Sequence, residues 1–406
     1  MKSPLEGIRV VDFTHALAGP YCTMLLAAYG AEVYKLESPG AGDIGRGWGP
    51  PFAGEEACFF LALNAGKQGV SIDLKKPKGR ELCLRLADEC DVVVENFRPG
   101  TMDRLGLGYS AIHARNKRAV YCSISGYGQS GPWRDEPAMD LIVQAASGLI
   151  SVTGTRAGER VRCGHSVADT TAGLFALIGV LMALRAREQT GEGQYVDVSM
   201  LDGLVSTMGS IFAYYAGSQK VPSPMGTSFG AIVPYQTFTT ADREIAIAVG
   251  SEKLWLQFCD AIGHPALARD PAFTNNAARV ANREVLIPLL SEMFARESAA
   301  YWKDVLGRAG VPCSIVRKID EVFECEQLAS RGLFQAVEHD TAGDFPVTGA
   351  PVQFSGTPGK INGAAPSLGT DTRAALTRLL HLSEPEVEAL QASGVIYEHR
   401  AAASRP

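Results

Sequence analysis

One carboxylate stands directly before the longest apolar stretch of the chain. Asp169 lies in Ala168-Asp169-Thr170-Thr171, and the apolar run after it predicts a helix over residues 170–188. Aspartate at such a place is a common helix N-cap, which is a purely structural role. The positive end of the helix dipole also favours the ionised carboxylate, and a positioned carboxylate can act as a covalent nucleophile. Asp169 is therefore a candidate catalytic residue.

A second set of residues could bind phosphate. Basic side chains crowd two short segments, DLKKPKGR at 73–80 and ENFRPGTMDRLG at 95–106. These side chains could be ordinary solvated charges, since Lys and Arg are mostly exposed. Both segments nevertheless follow strand-like sequences, and ligands of open α/β sheets bind at the carboxyl ends of strands. A nucleophilic carboxylate beside a phosphate-binding rim is what an enzyme of CoA thioesters needs.

The elements that must position these residues alternate between strand and helix. Short apolar runs between turn residues predict strands, and longer periodic segments predict helices. The predicted strands are 8–14, 32–37, 91–95, 119–125 and 194–199, and the predicted helices are 21–29, 79–89, 138–150, 170–188 and 201–216. This order favours an α/β fold built on a mostly parallel, Rossmann-like sheet.

The composition changes after about residue 217. A segment rich in Gly, Ser and Pro leads into short strands and helices that predict a smaller α+β domain. In the C-terminal segment we expect a strand near 351–354 and two helices, 371–380 and 383–393. The predicted regions are a large domain (1–199), a linker helix and loop (200–225), a small domain (226–328) and a C-terminal segment (329–406).

Composition and charge exclude several classes of protein. The net charge is −6 with a pI near 5.7, so no basic field would attract nucleic acid. Nine cysteines and seven histidines are scattered without Cys-x-x-Cys or His-x-x-x-His spacing, which favours reduced thiols, no metal site and a cytoplasmic protein. The longest apolar stretch, about residues 173–184, is too short to span a bilayer and predicts a buried helix, and no secretory signal is expected.

Two segments match known motifs, but neither lies in the secondary-structure context that its motif requires. Residues 40–45 fit G-x-G-x-x-G, but this segment follows the second predicted strand and runs into a Gly/Pro-rich stretch that cannot be a helix. Residues 226–230 fit G-x-S-x-G, but a nucleophile elbow needs a strand before it and a helix after it. Neither nicotinamide binding nor a serine hydrolase is therefore expected, and 226–230 is interpreted as a glycine-rich loop that could line a site.

Longer segments carry a resemblance over nearly the whole chain. They include PLEGIRVVDFTHALAGP at 4–20, GAEVYKLESPGAGD at 30–43, VVVENFRPG at 92–100, SVADTTAG at 166–173 and TGEGQYVDVSMLD at 190–202. With these segments the sequence resembles the class III CoA-transferases, the family of formyl-CoA and carnitine CoA-transferases. WGPPFAGEE at 48–56 and GAIVPYQTF at 230–238 resemble its succinyl-CoA:dicarboxylate, glutarate-type members.

The resemblance implies an interlocked homodimer in which the C-terminal segment returns to the large domain. It implies transfer of CoA from an acyl-CoA, such as succinyl-CoA, to a free carboxylic acid through an anhydride and a thioester on Asp169. The CoA thioester is then a substrate, and no further cofactor is expected. The resemblance places CoA-binding residues at His15, Ala16, Ile72, Lys75, Asn96, Phe97, Arg98 and Arg104. Ser38 departs from the family, which often has Arg there.

The pocket for the acid substrate is predicted from the glutarate-type resemblance. A second, distal carboxylate needs a cationic partner, because burying it unpaired is costly. Arg46 is the candidate, with Arg162 behind it, although Arg46 could equally be a loop cation that serves CoA or solvent. The predicted pocket residues are Arg46, Trp48, Gly226, Tyr235 and Gln236.

Two other functions remain open. Racemases of the same superfamily use a His-Asp pair where this chain has Met139-Asp140, and methionine cannot exchange a proton. A non-catalytic acyl-CoA-binding protein would keep the basic rim but would not need an ionised Asp169.

Overall fold

The computed structural model describes residues 2–399. The chain forms two compact units, and each unit is built from more than one stretch of the sequence. The first unit contains the residues up to Ser147, Cys163–Ala213 and the residues from Glu326 onward. The second unit contains Gly148–Arg162 and Tyr214–Cys325. The sequence-based boundaries placed 148–162 in the large domain and the helix after residue 200 in a linker. In the structure the former groups with the second unit, and the latter belongs to the first.

A seven-stranded sheet forms the centre of the first unit. Its strands are β1 (Arg9–Asp12), β2 (Glu32–Glu37), β3 (Gln68–Ile72), β4 (Val92–Glu95), β5 (Val120–Ser125), β6 (Tyr195–Ser199) and β7 (Ile396–Tyr397). Their order is β7-β3-β2-β1-β4-β5-β6, and only β7 pairs antiparallel. Helices cover both faces, so valine-rich strands such as β4 are fully buried. The predicted α/β fold with a parallel sheet is confirmed.

The helices of this unit connect the strands and cover the sheet. Three of them are α1 (Ala18–Ala28), α2 (Asp140–Ala146) and α3 (Val167–Thr190). The others are Cys58–Asn64, Pro77–Asp88, Thr101–Arg104, Tyr109–Arg115, Met200–Thr207, Glu326–Ser330, Thr372–Leu380 and Glu384–Ala392, while Gly209–Ser218 crosses the unit boundary. The predicted helix over 138–150 breaks at Gly148, which adopts a left-handed φ of 84°.

The predicted strand near 351–354 is wrong, because those residues have no regular secondary structure. The strands of this region lie earlier, at Phe334–His339 and Gly343–Thr348, and pair antiparallel with each other. A second small ribbon joins Phe52–Ala53 to Glu56–Ala57.

The second unit is a small α+β body with its own core. Three antiparallel strands, Tyr235–Thr239, Glu244–Ala248 and Cys313–Ile315, lie in the order third–second–first. Its helices are Leu149–Val152, Glu252–Ala261, Asn276–Ala281, Arg283–Phe294, Ala299–Arg308 and Ile319–Phe323. Arg279 is fully buried over the ring of Trp255 and pairs with Glu252.

Helix α3 packs closely on α1 through small residues. Ala168, Ala172 and Ala176 are fully buried, and a Cβ on Gly173 would lie 2.6 Å from the Ala18 carbonyl oxygen. Asp169 is one turn before Gly173, on the same side of the helix. The packing therefore brings the first turn of α3 towards the start of α1, where the chain leaves the β1–α1 turn.

The opposite side of α3 is exposed, so the prediction of a wholly buried helix is wrong. Apolar side chains on this side keep 36–67% of their surface exposed, namely Leu174, Phe175, Ile178, Leu181 and Met182. Within residues 2–399, α3 is the one helix long and apolar enough to cross a membrane. About 44% of its apolar window is buried inside the chain. Length and composition alone do not separate such a helix from a core helix.

Candidate active site

Asp169 lies in the first turn of α3 and is not its N-cap. The helix begins at Val167 after Ser166, so Asp169 is the third helical residue. Its side chain is partly exposed and forms no ion pair with any residue between 2 and 399. The purely structural explanation of an aspartate at this place, the N-cap, therefore does not hold.

Helix α2 fixes the segment that leads to Asp169. The Ala168 backbone N–H donates to Asp140 Oδ1 at 2.9 Å, and Gln144 Nε2 donates to Asp140 Oδ2 at 2.6 Å. Gln144 Oε1 in turn accepts from the Cys163 backbone N–H at 2.8 Å. Both ends of the segment are thus bonded to a buried carboxylate–amide pair, which limits the movement of the Asp169 backbone.

This environment raises the pKa of Asp169 to about 7. Burial is the main cause, and the nearby negative charge of Asp140 adds to it. The sequence had suggested that the helix dipole keeps this carboxylate ionised, and in the structure burial outweighs that effect. A carboxylate with a pKa near 7 is more basic than an ordinary aspartate and remains available in its charged form just above neutral pH.

Asp43 stabilises the β1–α1 turn through hydrogen bonds to backbone N–H groups. Asp43 Oδ1 accepts from the Ala16 backbone N–H at 2.9 Å and from the Gly45 N–H at 2.8 Å. Ala16 has a left-handed φ of 64°, which is unusual for a residue with a Cβ and is fixed by these bonds. Asn96 exchanges two hydrogen bonds with the backbone of His15, at 2.8 and 2.9 Å. These contacts give the turn one defined shape.

Buried ion pairs support this turn. Lys35 is fully buried and donates to Asp43 Oδ2 at 2.8 Å and to the Thr14 carbonyl at 2.9 Å. Lys67 donates to Asp12 Oδ2 at 3.1 Å. Burial alone would raise the pKa of Asp43, but His15, Lys35 and backbone N–H groups hold it far below its ordinary value. Burial also lowers the pKa of Lys67, to about 8, although Asp12 partly opposes this.

The structure brings four of the predicted CoA-binding residues together. They surround one cavity of about 230 Å³, whose lining includes His15, Ile72, Lys75 and Phe97. Ser38 lines the same cavity at the end of β2. Ala16 and Asn96 adjoin His15, whereas Arg98 lines a different cavity across the 97–105 segment, and Arg104 lies on that segment.

The structure gives Arg46 a different role from the predicted one. Its guanidinium donates to both oxygens of Glu37 at 2.7 and 2.8 Å, to Glu56 at 2.5 Å and to the Pro366 carbonyl at 2.9 Å. It also lies over the Phe60 ring at 3.8 Å. No edge of the guanidinium remains for a substrate carboxylate, so the prediction that Arg46 binds one is not supported. The sequence could not show that two acids would converge on it.

The other predicted pocket residues belong to two separate units. Trp48, in the first unit, is 37% exposed and packs against Phe59. In the second unit the loop containing Gly226 is bonded to the first strand, because Ser228 Oγ donates to Gln236 Oε1 at 3.0 Å. Tyr235 lies beside Phe229 of the same loop, with ring centroids 5.6 Å apart.

Sequence reasoning missed Asp43, Lys35 and Asp140 as supports of the site. The only signal was position, since Asp43 ends the GAGD segment and Asp140 follows Met139. Lys35 sits among apolar residues in β2, and a lysine at such a place must be paired when buried.

The α/β fold, a carboxylate without an ion-pair partner at a helix start and a cavity lined by four of the predicted CoA-binding residues fit the expectation of an acyl-CoA enzyme. The description of CoA-transferase family III matches residues 5–372, and the chain belongs to this family. The predicted resemblance is thereby confirmed.

Named relatives and solved structures match over nearly their full lengths. Mouse (Mus musculus) succinyl-CoA:glutarate CoA-transferase is 38% identical over 98% of this chain and 91% of its own. Succinate–glutarate CoA-transferase of Agrobacterium fabrum is 34% identical over 93% and 96%. The crystal structure of a CAIB/BAIF family protein from Brucella suis superposes with a TM-score of 0.84, 34% identity and coverage of 93% and 100%.

The raised pKa of Asp169 predicts a pH-dependent gain in stability when the charge is removed. The folded state binds the proton more tightly than the unfolded state, so ionisation of Asp169 destabilises the fold as pH rises from about 4 through 7. Asp169→Asn should therefore raise Tm by about 2 °C or more at pH 8.5 and by less at pH 5. Differential scanning calorimetry at both pH values measures this.

The matched control is Asp344→Asn, because Asp344 is exposed. It should leave Tm unchanged at both pH values. An equal change in Tm for Asp169→Asn at pH 5 and pH 8.5 would show that its carboxyl titrates as in the unfolded chain.

Proposed function

We propose that this enzyme transfers CoA from succinyl-CoA to a dicarboxylic acid, with Asp169 as the covalent nucleophile. The observation that carries the proposal is the nearly full-length similarity to relatives named succinyl-CoA:glutarate and succinate–glutarate CoA-transferases, combined with an Asp169 that has no ion-pair partner within residues 2–399. A second relative type, the succinyl-CoA–D-citramalate CoA-transferase of Chloroflexus aurantiacus, is 32% identical over 97% of this chain. Its name also pairs succinyl-CoA with a dicarboxylic acid.

The first half of the reaction loads CoA onto the enzyme. The Asp169 carboxylate attacks the thioester carbonyl of succinyl-CoA, the C–S bond breaks, and a mixed anhydride and CoA thiolate form. The thiolate then attacks the Asp169 carbonyl carbon and releases succinate, which leaves an aspartyl-CoA thioester. The acceptor carboxylate repeats both steps in reverse, so the new acyl-CoA leaves and the Asp169 carboxylate is restored.

The environment of Asp169 suits each of these steps. The absence of a cationic partner within residues 2–399 leaves the carboxylate basic, which favours its attack on the thioester. The N–H groups of Val167, Ala168 and Thr170 in the first turn of α3 are already bonded, so the Asp169 backbone N–H is the proposed donor from this turn to the tetrahedral oxyanions. Exclusion of water protects the anhydride from hydrolysis.

CoA is proposed to bind along the carboxyl ends of β1, β3 and β4. His15, Ala16 and Asn96 shape the turn against which the thioester end lies. Ile72 and Phe97 supply apolar walls of the 230 Å³ cavity, and Lys75 supplies a cation at its rim. Arg98 and Arg104 add positive charge on the adjoining segment for the phosphates. Trp48 in the first unit and Gly226, Tyr235 and Gln236 in the second stay predictions for the acid substrate, as does Arg162 for a distal carboxylate.

Racemisation is the weaker alternative. The racemase base would stand at position 139, where the exposed Met139 cannot accept a proton. A non-catalytic binding protein would have no need for a basic, unpaired Asp169, whose charge costs stability.

An assay of succinyl-CoA with two acceptors tests the proposal. Glutarate should be converted to glutaryl-CoA with a kcat/KM at least about tenfold above that for butyrate, since a buried second carboxylate must find a partner. Asp169→Ala should reduce transfer at least about a thousandfold. Mass spectrometry of the acyl-CoA products measures both effects.

The control for the assay is Asp344→Ala, which should retain full activity. Equal use of butyrate and glutarate by the wild-type enzyme would contradict the dicarboxylate assignment. More than a few per cent of activity in Asp169→Ala would contradict the nucleophile.

We also propose that two chains form an interlocked homodimer in the cytoplasm. The exposed apolar side of α3 supports this, because such a face is costly in water. Threaded chains cannot separate without unfolding, so light scattering should show a dimer even at nanomolar concentration. A folded monomer on dilution would contradict the topology.

A further inference from the structure

A second cavity lies on the far side of the 97–105 segment from the first. Its volume is about 270 Å³, and the ends of β4, β5 and β6 border it. Three tyrosine rings form one wall, those of Tyr109, Tyr121 and Tyr195, with centroids 5.2–6.1 Å apart. The cavity is thus a preformed hollow beside the proposed CoA site and separate from it.

Arg98 and Arg134 line this cavity, and Arg104 lies beside Gly100, which also lines it. A Cβ on Gly100 would lie 3.3 Å from Arg104 Nη1 and 3.8 Å from Arg134 Nη2. Gly100 has a left-handed φ of 76°, so glycine suits both the backbone and the close approach. Three arginines at one place repel each other unless an anion lies between them.

These arginines have few partners in the described chain. Arg134 Nε is 4.0 Å from Asp135, whose side chain is 89% exposed. Arg104 donates to the Thr101 hydroxyl at 3.0 Å. The Arg98 carbonyl accepts from the Thr101 N–H, but its guanidinium forms no hydrogen bond or ion pair with the residues from 2 to 399. Most of their donors therefore remain available to a ligand.

The remaining polar groups of the cavity also favour an anion. Gln129 Nε2 lines it and is buried without a hydrogen-bond partner among the described residues. Two acids are present, Glu95 and Asp103. Burial raises the pKa of Glu95 to about 7, so it is only partly charged at neutral pH. Positive charge exceeds negative charge here.

We propose that Arg134, together with Arg98 and Arg104, binds a phosphate group of coenzyme A in this cavity and that Gln129 Nε2 donates a hydrogen bond to it. Phe97 and Leu105 line the first cavity, whereas Arg98 and Asp103 line the second. One short segment therefore separates the two, and the proposal places a CoA in the first cavity with a phosphate extended towards the second. Arg134 thus becomes a determinant of CoA recognition. This inference rests on the proposed function, which makes CoA the ligand.

Calorimetric titration with CoA and with dephospho-CoA tests the proposal without turnover. In Arg134→Gln the Kd for CoA should rise about tenfold or more, as for the loss of a charge-assisted hydrogen bond. A rise confined to CoA assigns the 3′-phosphate, and an equal rise for both ligands assigns the diphosphate. The matched control is Arg308→Gln, which removes one exposed arginine from the second unit and should leave both Kd values unchanged.

An unchanged Kd for both ligands in Arg134→Gln, with Tm equal to that of the wild type, would overturn the proposal. This outcome leaves the transferase assignment intact if wild type still moves CoA from succinyl-CoA to glutarate. Conversely, CoA binding that depends on Arg134 in an enzyme without transfer activity would refute the proposed function alone.

Discussion

The buried pairing of Lys35 with Asp43 is the interaction on which the architecture of the site depends. Both side chains are withdrawn from water, and their 2.8 Å contact lies directly beneath the β1–α1 turn. The other carboxylate oxygen, Asp43 Oδ1, accepts from the Ala16 N–H and holds Ala16 in its left-handed conformation. The turn in turn sets where α1 begins. Removal of one partner would leave an uncompensated buried charge, which costs about 3–5 kcal/mol. The same turn supplies His15 to the cavity proposed to bind CoA, so in that proposal stability and substrate binding share one support.

Asp169 differs from the acids of that network in having no cation beside it. Asp12 and Asp43 contact lysines, and Glu37 contacts Arg46, so each of these charges is balanced within the fold. Burial and Asp140 instead raise the pKa of Asp169. The free-energy cost of ionising this carboxyl group is therefore not offset by a cation when no substrate is bound. In the proposed mechanism this cost is relieved when the oxygen forms a bond to an acyl carbon, so that an unfavourable ground state favours covalent catalysis.

Strands and helices that depend on local sequence pattern could be predicted, whereas side-chain roles that depend on tertiary contacts could not. Strand β2, whose Lys35 lies among apolar residues, and strand β4, with its three valines, were located within a residue or two of their ends. The polar start of β3, Gln68–Ile72, hid that strand, and β7 is only two residues long. Arg46 was assigned to substrate because its partners Glu37 and Glu56 are brought to it only by folding. The exposed side of α3 was equally hidden, since apolar composition does not tell burial within one chain from burial between two.

In the proposed mechanism oxygen passes through the Asp169 carboxyl, and an isotope experiment can follow that oxygen. In the proposed route the acceptor carboxylate supplies the bridging oxygen of the second anhydride, and the thiolate then leaves that oxygen on Asp169. Wild-type enzyme turned over with succinyl-CoA and glutarate labelled with ¹⁸O in both carboxyls should therefore carry ¹⁸O in the peptide containing Asp169, and the released succinate should gain ¹⁸O in later turnovers. Glutaryl-CoA formed without any ¹⁸O in that peptide or in succinate would contradict the account.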